Sequence, residues 1–263
     1  MIARDVMTKK LLTVDKDQSI EDAMRLMEKH GVSRLLVTET GKVIGIITES
    51  DVGKRLASGK ERKLKTGHIH VSAAMNKYLR VVYPEEDIRE VARQMIAYGI
   101  SSIVIEEKEK IVGIVTKTDL TRVLLSSKKP IADFYTKNPV LCNVNDRLVH
   151  ARKMMVENNV HRLLVTDGGK LAGIVTDRDI ARGLRTFRQA LDKFHHPDLE
   201  RLMVDYVMSR EPVVVKPDTK AGDVVGIMLD RKISGIAVSE RPGGYGIITK
   251  TDFTRAIADS RLP

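Results

Sequence analysis

The chain has 263 residues, enough to bury two well-formed cores, and its composition is that of an ordinary globular protein. Its one cysteine, Cys142, excludes an internal disulfide framework. No N-terminal signal pattern and no apolar run near 18 residues is present, so a soluble, cytoplasmic protein with no membrane partner is expected. The net charge of +10 points to an anionic partner, with a plain solvated basic surface as the bland alternative.

Residues 1–10 form a lead-in expected to pack on its own module, and a short strand follows at 11–14. Apolar residues then recur at helical spacing, Ile20, Ala23, Met24 and Met27, and the helix stops at Gly31, a residue that tolerates a left-handed cap. A strand is predicted over 33–38. Next comes an apolar run that ends in the phrase Gly-Ile-Ile-Thr-Glu-Ser-Asp at 45–51.

The same arrangement returns three times. The second copy has a strand at 79–82, a helix carrying Ile88, Val91, Ala92 and Met95, a stop at Gly99, a strand at 102–105 and Gly-Ile-Val-Thr-Lys-Thr-Asp at 113–119. The third has a strand at 139–142, a helix from Leu148 through Met155, a stop at Asn159, a strand at 162–166 and Gly-Ile-Val-Thr-Asp-Arg-Asp at 173–179. The fourth has a strand at 212–215, a helix from Ala221 through Met228, Lys232 as a poorer cap, a strand at 235–238 and Gly-Ile-Ile-Thr-Lys-Thr-Asp at 246–252. In every copy the glycine lies 25 residues after the first apolar residue of the helix. The unit is strand, helix, strand, strand, helix, at 1–56, 73–125, 133–184 and 206–257.

Three linkers separate the copies. From Lys54 to His70 the first carries Lys54, Arg55, Lys60, Arg62, Lys63 and Lys65 against Glu61 alone; a solvated loop and a phosphate-binding segment are equally good readings. The second, 126–131 with Lys128, Lys129 and Pro130, is short and follows a complete pair of repeats, so the module boundary is placed there. The third, 185–205, contains His195–His196. No cysteine or acid stands near that pair, or near His68 and His70, at ligand spacing, so no metal site is assigned.

In each phrase the Thr-x-x-Asp is a capping pattern, with the threonine oxygen on an orphan N–H and the acid at the positive helix end. No nucleophile with a positioned base, no Walker loop and no dinucleotide-binding glycine motif occurs, so an enzyme is not expected. The recurring acids are single rather than paired. A lone carboxylate can accept two hydrogen bonds from a cis diol.

The fourfold phrase, its helices and its strands together resemble the cystathionine-β-synthase (CBS) domain over nearly the whole chain. The arrangement is similar to archaeal four-CBS proteins and to the γ subunit of AMP-activated kinase. That resemblance implies an α/β fold of four β-α-β-β-α repeats arranged as two pseudo-twofold CBS-pair modules, 1–125 and 131–263. It also implies clefts for an adenine nucleotide (AMP, ADP or ATP). Ribose binding falls on Thr48 with Asp51, Thr116 with Asp119, Thr176 with Asp179 and Thr249 with Asp252, against the alternative that each pair is a helix cap only. Phosphate binding falls on Arg34, His161, Arg162 and Arg178, with ordinary surface ion pairs as the alternative for Arg34 and Arg162. Repeats 2 and 4 have only Ser101–Ser102 and Ser234–Gly235 there, so one phosphate-competent repeat per module is expected. The bases three residues after each aspartate, Lys54, Arg122, Arg182 and Arg255, are expected to be surface partners of that acid, with a contact to nucleotide phosphate or to RNA as the alternative.

Three functions follow from the resemblance and the charge. The first is a non-enzymatic energy sensor, with no catalytic cofactor, that acts through a regulated protein. The second is an RNA- or ribosome-binding factor that silences translation, with Lys60, Arg62, Lys63, Lys65, Lys128 and Lys129 as contacts. The third is an S-adenosylmethionine-binding regulator. With no Trp and only four Phe, any RNA would be held by its phosphates rather than by stacking. A face-to-face homodimer is a further expectation.

Overall fold

A computed structural model describes residues 1–57, 66–191, 202–241 and 243–262. A short helix, α1 (Ala3–Val6), lies in the first lead-in. Repeat 1 then runs β1 (Thr13–Asp15), α2 (Ile20–His30), β2 (Arg34–Glu39), β3 (Lys42–Thr48) and α3 (Glu49–Ala57). Repeat 2 runs β4 (Val81–Val82), α4 (Ile88–Ala97), β5 (Ser102–Glu107), β6 (Lys110–Thr116) and α5 (Lys117–Arg122). Repeat 3 runs β7 (Leu141–Asn143), α6 (Leu148–Glu157), β8 (Arg162–Asp167), β9 (Lys170–Thr176) and α7 (Asp177–Leu191). Repeat 4 adds β10 (Ser209–Arg210) in its lead-in, then β11 (Val214–Val215), α8 (Ala221–Asp230), β12 (Gly235–Arg241), β13 (Gly244–Thr249) and α9 (Lys250–Ala258).

Each repeat builds one sheet in which the first strand is parallel to the second and the second is antiparallel to the third. The parallel step requires a crossover, and the first helix of the repeat supplies it. That helix buries its periodic face: Ile20, Ala23, Met24 and Met27 in α2, and Ile88, Val91, Ala92 and Met95 in α4. All four expected stops adopt the left-handed conformation, with φ of 65° at Gly31, 62° at Gly99, 51° at Asn159 and 53° at Lys232. At Lys232 a β-carbon is carried into a region that costs roughly 1–2 kcal/mol for a non-glycine residue.

The described residues form two compact units. One contains residues 1–11, 80–139 and 212–263, and its core joins repeats 2 and 4 through Met95, Ile103, Leu120, Met228 and Phe253. The other contains 12–79 and 140–211, and its core joins repeats 1 and 3 through Met27, Ile47, Val52, Met155, Val175 and Ile180. These units do not coincide with the chain halves 1–125 and 131–263. The reason is helix packing: α3 lies on α7, and α9 lies on α4 and α5, so each repeat buries its helices against the repeat two along.

The lead-ins are exchanged between chain neighbours. Thr8 pairs with Ile114 of β6, Asn76 with Ile46 of β3, Thr136 with Ile247 of β13, and Ser209–Arg210 with Ile174 and Gly173 of β9. Each therefore covers the open edge of a third strand, whose N–H and C=O groups would otherwise lack partners. The first lead-in, expected on its own module 1–125, lies within that module on repeat 2 rather than on repeat 1. This exchange explains the glycine that opens the phrase. A β-carbon would stand 2.7 Å from the Asn76 carbonyl oxygen at Gly45, 2.7 Å from that of Ser209 at Gly173 and 2.8 Å from that of Thr136 at Gly246. At Gly113 it would stand 2.5 Å from the Met7 sulfur. Where the obstacle is a backbone carbonyl, at Gly45, Gly173 and Gly246, only glycine admits the lead-in this closely.

Candidate functional site

The local chemistry of the phrase repeats closely. The threonine Oγ1 donates to the aspartate Oδ2 at 2.6 Å in Thr48–Asp51 and Thr249–Asp252 and at 2.7 Å in Thr116–Asp119 and Thr176–Asp179. The threonine N–H donates to the same oxygen at 2.8–2.9 Å, and the aspartate N–H returns a bond to Oγ1 at 3.2–3.3 Å. All four are reciprocal capping boxes that begin the second helix of the repeat. In every box the threonine engages Oδ2 and leaves Oδ1 to other partners.

What meets that second oxygen differs between repeats. In repeat 2, Thr8 of the exchanged lead-in donates to Asp119 Oδ1 at 3.4 Å, and Arg122 stands 3.7 Å away. In repeat 4, Thr136 and Arg255 play the same parts at Asp252 Oδ1, at 3.3 and 3.6 Å. Both carboxylates are buried, at 6% and 5% exposure, whereas Asp51 and Asp179 are half-buried. Burial raises the Asp179 and Asp252 carboxyls above the ordinary aspartate value, while the hydrogen bonds from Thr176 and Thr249 pull the other way.

Sequence reasoning missed the lead-in side chains. Their signal is a second short phrase: Met7-Thr8-Lys9, Met75-Asn76-Lys77, Tyr135-Thr136-Lys137 and Met208-Ser209-Arg210. It stands 38 residues before the glycine of its own repeat in all four copies, yet it folds onto the glycine of the neighbouring repeat.

The phosphate candidates are placed as follows. Arg34 opens β2 and its Nη2 donates to Ser33 Oγ at 3.2 Å. His161 Nδ1 lies 2.7 Å from Asp177 Oδ2, which also accepts from Ser50 Oγ at 3.0 Å. Arg162 opens β8 directly after His161. Arg178 is turned to repeat 1, its Nε 2.7 Å from both oxygens of Glu49, a carboxylate at 6% exposure. A cavity of about 120 Å³ between α3 and repeat 3 gathers Ser50, Lys54, Arg152, His161 and Asp177 over Met155 and Ile180. Its polar rim carries two fixed cations and a histidine against one carboxylate, an arrangement suited to an anion.

Of the bases expected beside the aspartates, Arg122 and Arg255 take that place. Arg182 instead lies 3.7 Å from Glu28, which also receives Arg185 at 2.8 Å, and Lys54 lines the cavity. Among the candidate RNA contacts, Lys128 is exposed and Lys129 donates to the Arg261 carbonyl oxygen at 2.7 Å. Lys60, Arg62, Lys63 and Lys65 lie outside the described residues, as do His195 and His196. Among the described residues there is no group of three potential metal ligands, and no helix is long and apolar enough to cross a membrane. Cys142 is buried and its thiol is pushed up to about 12 by that burial and by Asp146, so it stays protonated at neutral pH.

Comparison with known proteins accounts for the repeat. The chain is 24% identical to protein MJ1225 of Methanocaldococcus jannaschii, over 95% of this chain and 96% of that one. The crystal structure of MJ1225, proposed as an archaeal homologue of g-AMPK, superposes with a TM-score of 0.86 at 23% identity, covering 98% of this chain and 100% of the other. A conserved protein from Pyrococcus horikoshii gives a TM-score of 0.65 at 21% identity, with the same coverage. A 33.4 kDa protein in the ribosomal RNA operon of Thermofilum pendens is 24% identical over 96% of this chain and 88% of its own length. The CBS-domain profile matches residues 3–58, 71–126, 131–186 and 188–259, so that every capping box and every exchanged lead-in phrase falls within a match: the chain belongs to the CBS-domain family.

Proposed function

We propose that this protein is a non-enzymatic regulatory protein that binds adenine nucleotides and passes their level to a macromolecular partner. The ribose diol would lie on the second carboxylate oxygen left by the capping box, and the phosphates would meet Arg34 in repeat 1 and His161 with Arg162 in repeat 3. The observation that carries this reading is the half-used aspartate. In Asp51 and Asp179 the box takes one oxygen, and the bases sit at the head of the adjacent strand in the same repeats. Arg178 reaches a phosphate only by leaving Glu49, so it stands behind the other three. The chain halves 1–125 and 131–263 remain the proposed CBS-pair modules, supported by the exchange of lead-ins between repeats 1 and 2 and between 3 and 4.

Calorimetry with AMP, ADP, ATP and S-adenosylmethionine tests the reading. Micromolar binding of an adenine nucleotide is expected, with a stabilisation of about 2.7 kcal/mol at 100 times Kd. Asp179→Ala should weaken repeat 3 by roughly 1–3 kcal/mol while the fold survives. No heat from any of the four ligands at millimolar concentration would remove the proposal, and tighter binding of S-adenosylmethionine than of any nucleotide would replace it with that ligand.

A second reading rests on the charge. With a net charge of +10 and an exposed Lys128, an RNA-rich partner such as a ribosomal subunit would be the output. The Thermofilum relative's place in a ribosomal RNA operon favours the same direction. About six phosphate contacts would cost on the order of a thousandfold in affinity between 50 and 200 mM salt. Co-sedimentation with ribosomal subunits over that range decides it, since a protein that stays in the supernatant at 50 mM salt has no such partner.

A further inference from the structure

The fifth and sixth residues of the phrase are its variable ones: Glu49-Ser50, Lys117-Thr118, Asp177-Arg178 and Lys250-Thr251. Across the contact between the two repeats of each unit they are not variable in their partners. In the unit of repeats 2 and 4, Lys117 Nζ donates to Thr251 Oγ1 at 3.0 Å and Lys250 Nζ donates to Thr118 Oγ1 at 3.0 Å. In the unit of repeats 1 and 3, Arg178 Nε donates to Glu49 at 2.7 Å and Ser50 Oγ donates to Asp177 Oδ2 at 3.0 Å. The fifth residue of one repeat always meets the sixth residue of the other, in both directions.

We propose that these two positions specify which repeats pack together. The capping box fixes the backbone on both sides of them, so each side chain leaves the helix start in a set direction. In the unit of repeats 1 and 3 the helices they open approach closely: a β-carbon at Gly53 would be 3.4 Å from Ala181 Cβ. The residue types reject the wrong pairings. If repeat 3 met repeat 2 or 4, Arg178 would face Lys117 or Lys250, two cations at a half-buried contact. If repeat 1 met repeat 2 or 4, Glu49 would face a threonine and lose its cation while at 6% exposure, the expensive way to break a buried pair. The Lys-Thr phrases of repeats 2 and 4 are mutually complementary, and the Glu-Ser and Asp-Arg phrases of repeats 1 and 3 are complementary only to each other. Four similar repeats in one chain thereby reach a single arrangement. This inference does not rest on the nucleotide reading.

Transplanting the pairing within the full-length protein tests it. Thr251→Arg sets an arginine against Lys117 and should lower Tm by on the order of 5 °C. Adding Lys117→Glu recreates the Glu49–Arg178 pair and should recover at least half of the loss. Thr118→Arg should be rescued by Lys250→Glu but not by its chain neighbour Lys117→Glu, which separates the crossed contact from general charge balance. In the other unit, Glu49→Lys with Arg178→Glu should be more stable than either single variant. If Thr251→Arg does not fold at all, a folded Lys117→Glu/Thr251→Arg protein supports the pairing rule and an unfolded one overturns it. Additive single and double variants, or equal rescue of Thr118→Arg by both glutamates, would also overturn it.

Discussion

Substituting alanine for the phrase glycines separates backbone seats from side-chain seats. At Gly173 an added β-carbon meets the Ser209 carbonyl oxygen at 2.7 Å and the Met208 sulfur at 2.9 Å. The oxygen belongs to the two-residue strand β10, paired through Ser209↔Ile174 and Arg210↔Gly173, so it can retreat only by giving up that pairing. Overpacking of this kind costs typically about 1–3 kcal/mol. Gly173 has no positive φ, so alanine also removes unfolded-state freedom and returns about 0.4–1 kcal/mol. The net expectation for Gly173→Ala is a loss of about 1–2 kcal/mol. At Gly113 the nearest atoms, from 2.5 to 3.2 Å, all belong to the Met7 side chain, which can swing aside. Gly113→Ala should therefore fall near zero. Calorimetric Tm values read the difference at ~2–4 °C per kcal/mol, and hydrogen exchange at the Ser209 amide should speed up in Gly173→Ala. Equal losses at Gly113 and Gly173, or unchanged exchange at the lead-in, would refute the idea that the glycine exists to seat it.

Two further outcomes follow from the cores and the buried acids. Phe253 is fully buried in the unit of repeats 2 and 4, so Phe253→Ala should cost about 3–5 kcal/mol and bring forward unfolding of that unit; differential scanning calorimetry would show it as an earlier transition. Asp252 titrates in the folded protein above its ordinary value because of burial, so its ionised form is the disfavoured one. As pH falls through that raised value, the folded state takes up the proton before the unfolded state does. Wild type should therefore gain stability relative to Asp252→Asn on acidification and show a constant difference above that value, which Tm measured at a series of pH values would check.

The repeats, their element order and the capping boxes were legible because they are written in local sequence: Thr-x-x-Asp, the 3.6-residue apolar period and the glycine stops. All four stops are left-handed, including Lys232, where tertiary packing overrides residue preference. The first strands begin later than the apolar pattern predicts: the pattern places 11–14 where Thr13–Asp15 forms, since the parallel register Val14↔Val37 with β2 decides the boundary. What was not legible is non-local. Nothing in one repeat says that Thr8 will lie on Asp119 rather than on Asp51, or that repeat 1 will bury its helices on repeat 3. The constant 38-residue offset of the Met/Tyr-polar-basic phrase marks the lead-in as part of the repeat, but an offset cannot show an exchange. Arg178 has the type and position of a phosphate ligand, but its partner Glu49 lies 129 residues away in the chain.

The phrase therefore has structural work in every repeat that owes nothing to a ligand. Its glycine seats the lead-in, its threonine and aspartate cap a helix, and its variable pair joins two repeats. An intact Thr-x-x-Asp is then no measure of how many nucleotides bind. The discriminating features are the bases at the head of the second strand and an aspartate that is not fully buried. Both occur in repeats 1 and 3, with Arg34, His161 and Arg162 beside half-buried Asp51 and Asp179. Neither occurs in repeats 2 and 4, where serine or glycine stands at the strand head and Thr8 or Thr136 lies against a buried aspartate. Native mass spectrometry at saturating nucleotide should thus find two nucleotides per chain. Asp51→Asn and Asp179→Asn should each remove one, whereas Asp119→Asn and Asp252→Asn should leave both. Four bound nucleotides, or loss of one in Asp119→Asn, would mean that the lead-in threonine yields to a ligand and that all four boxes are sites.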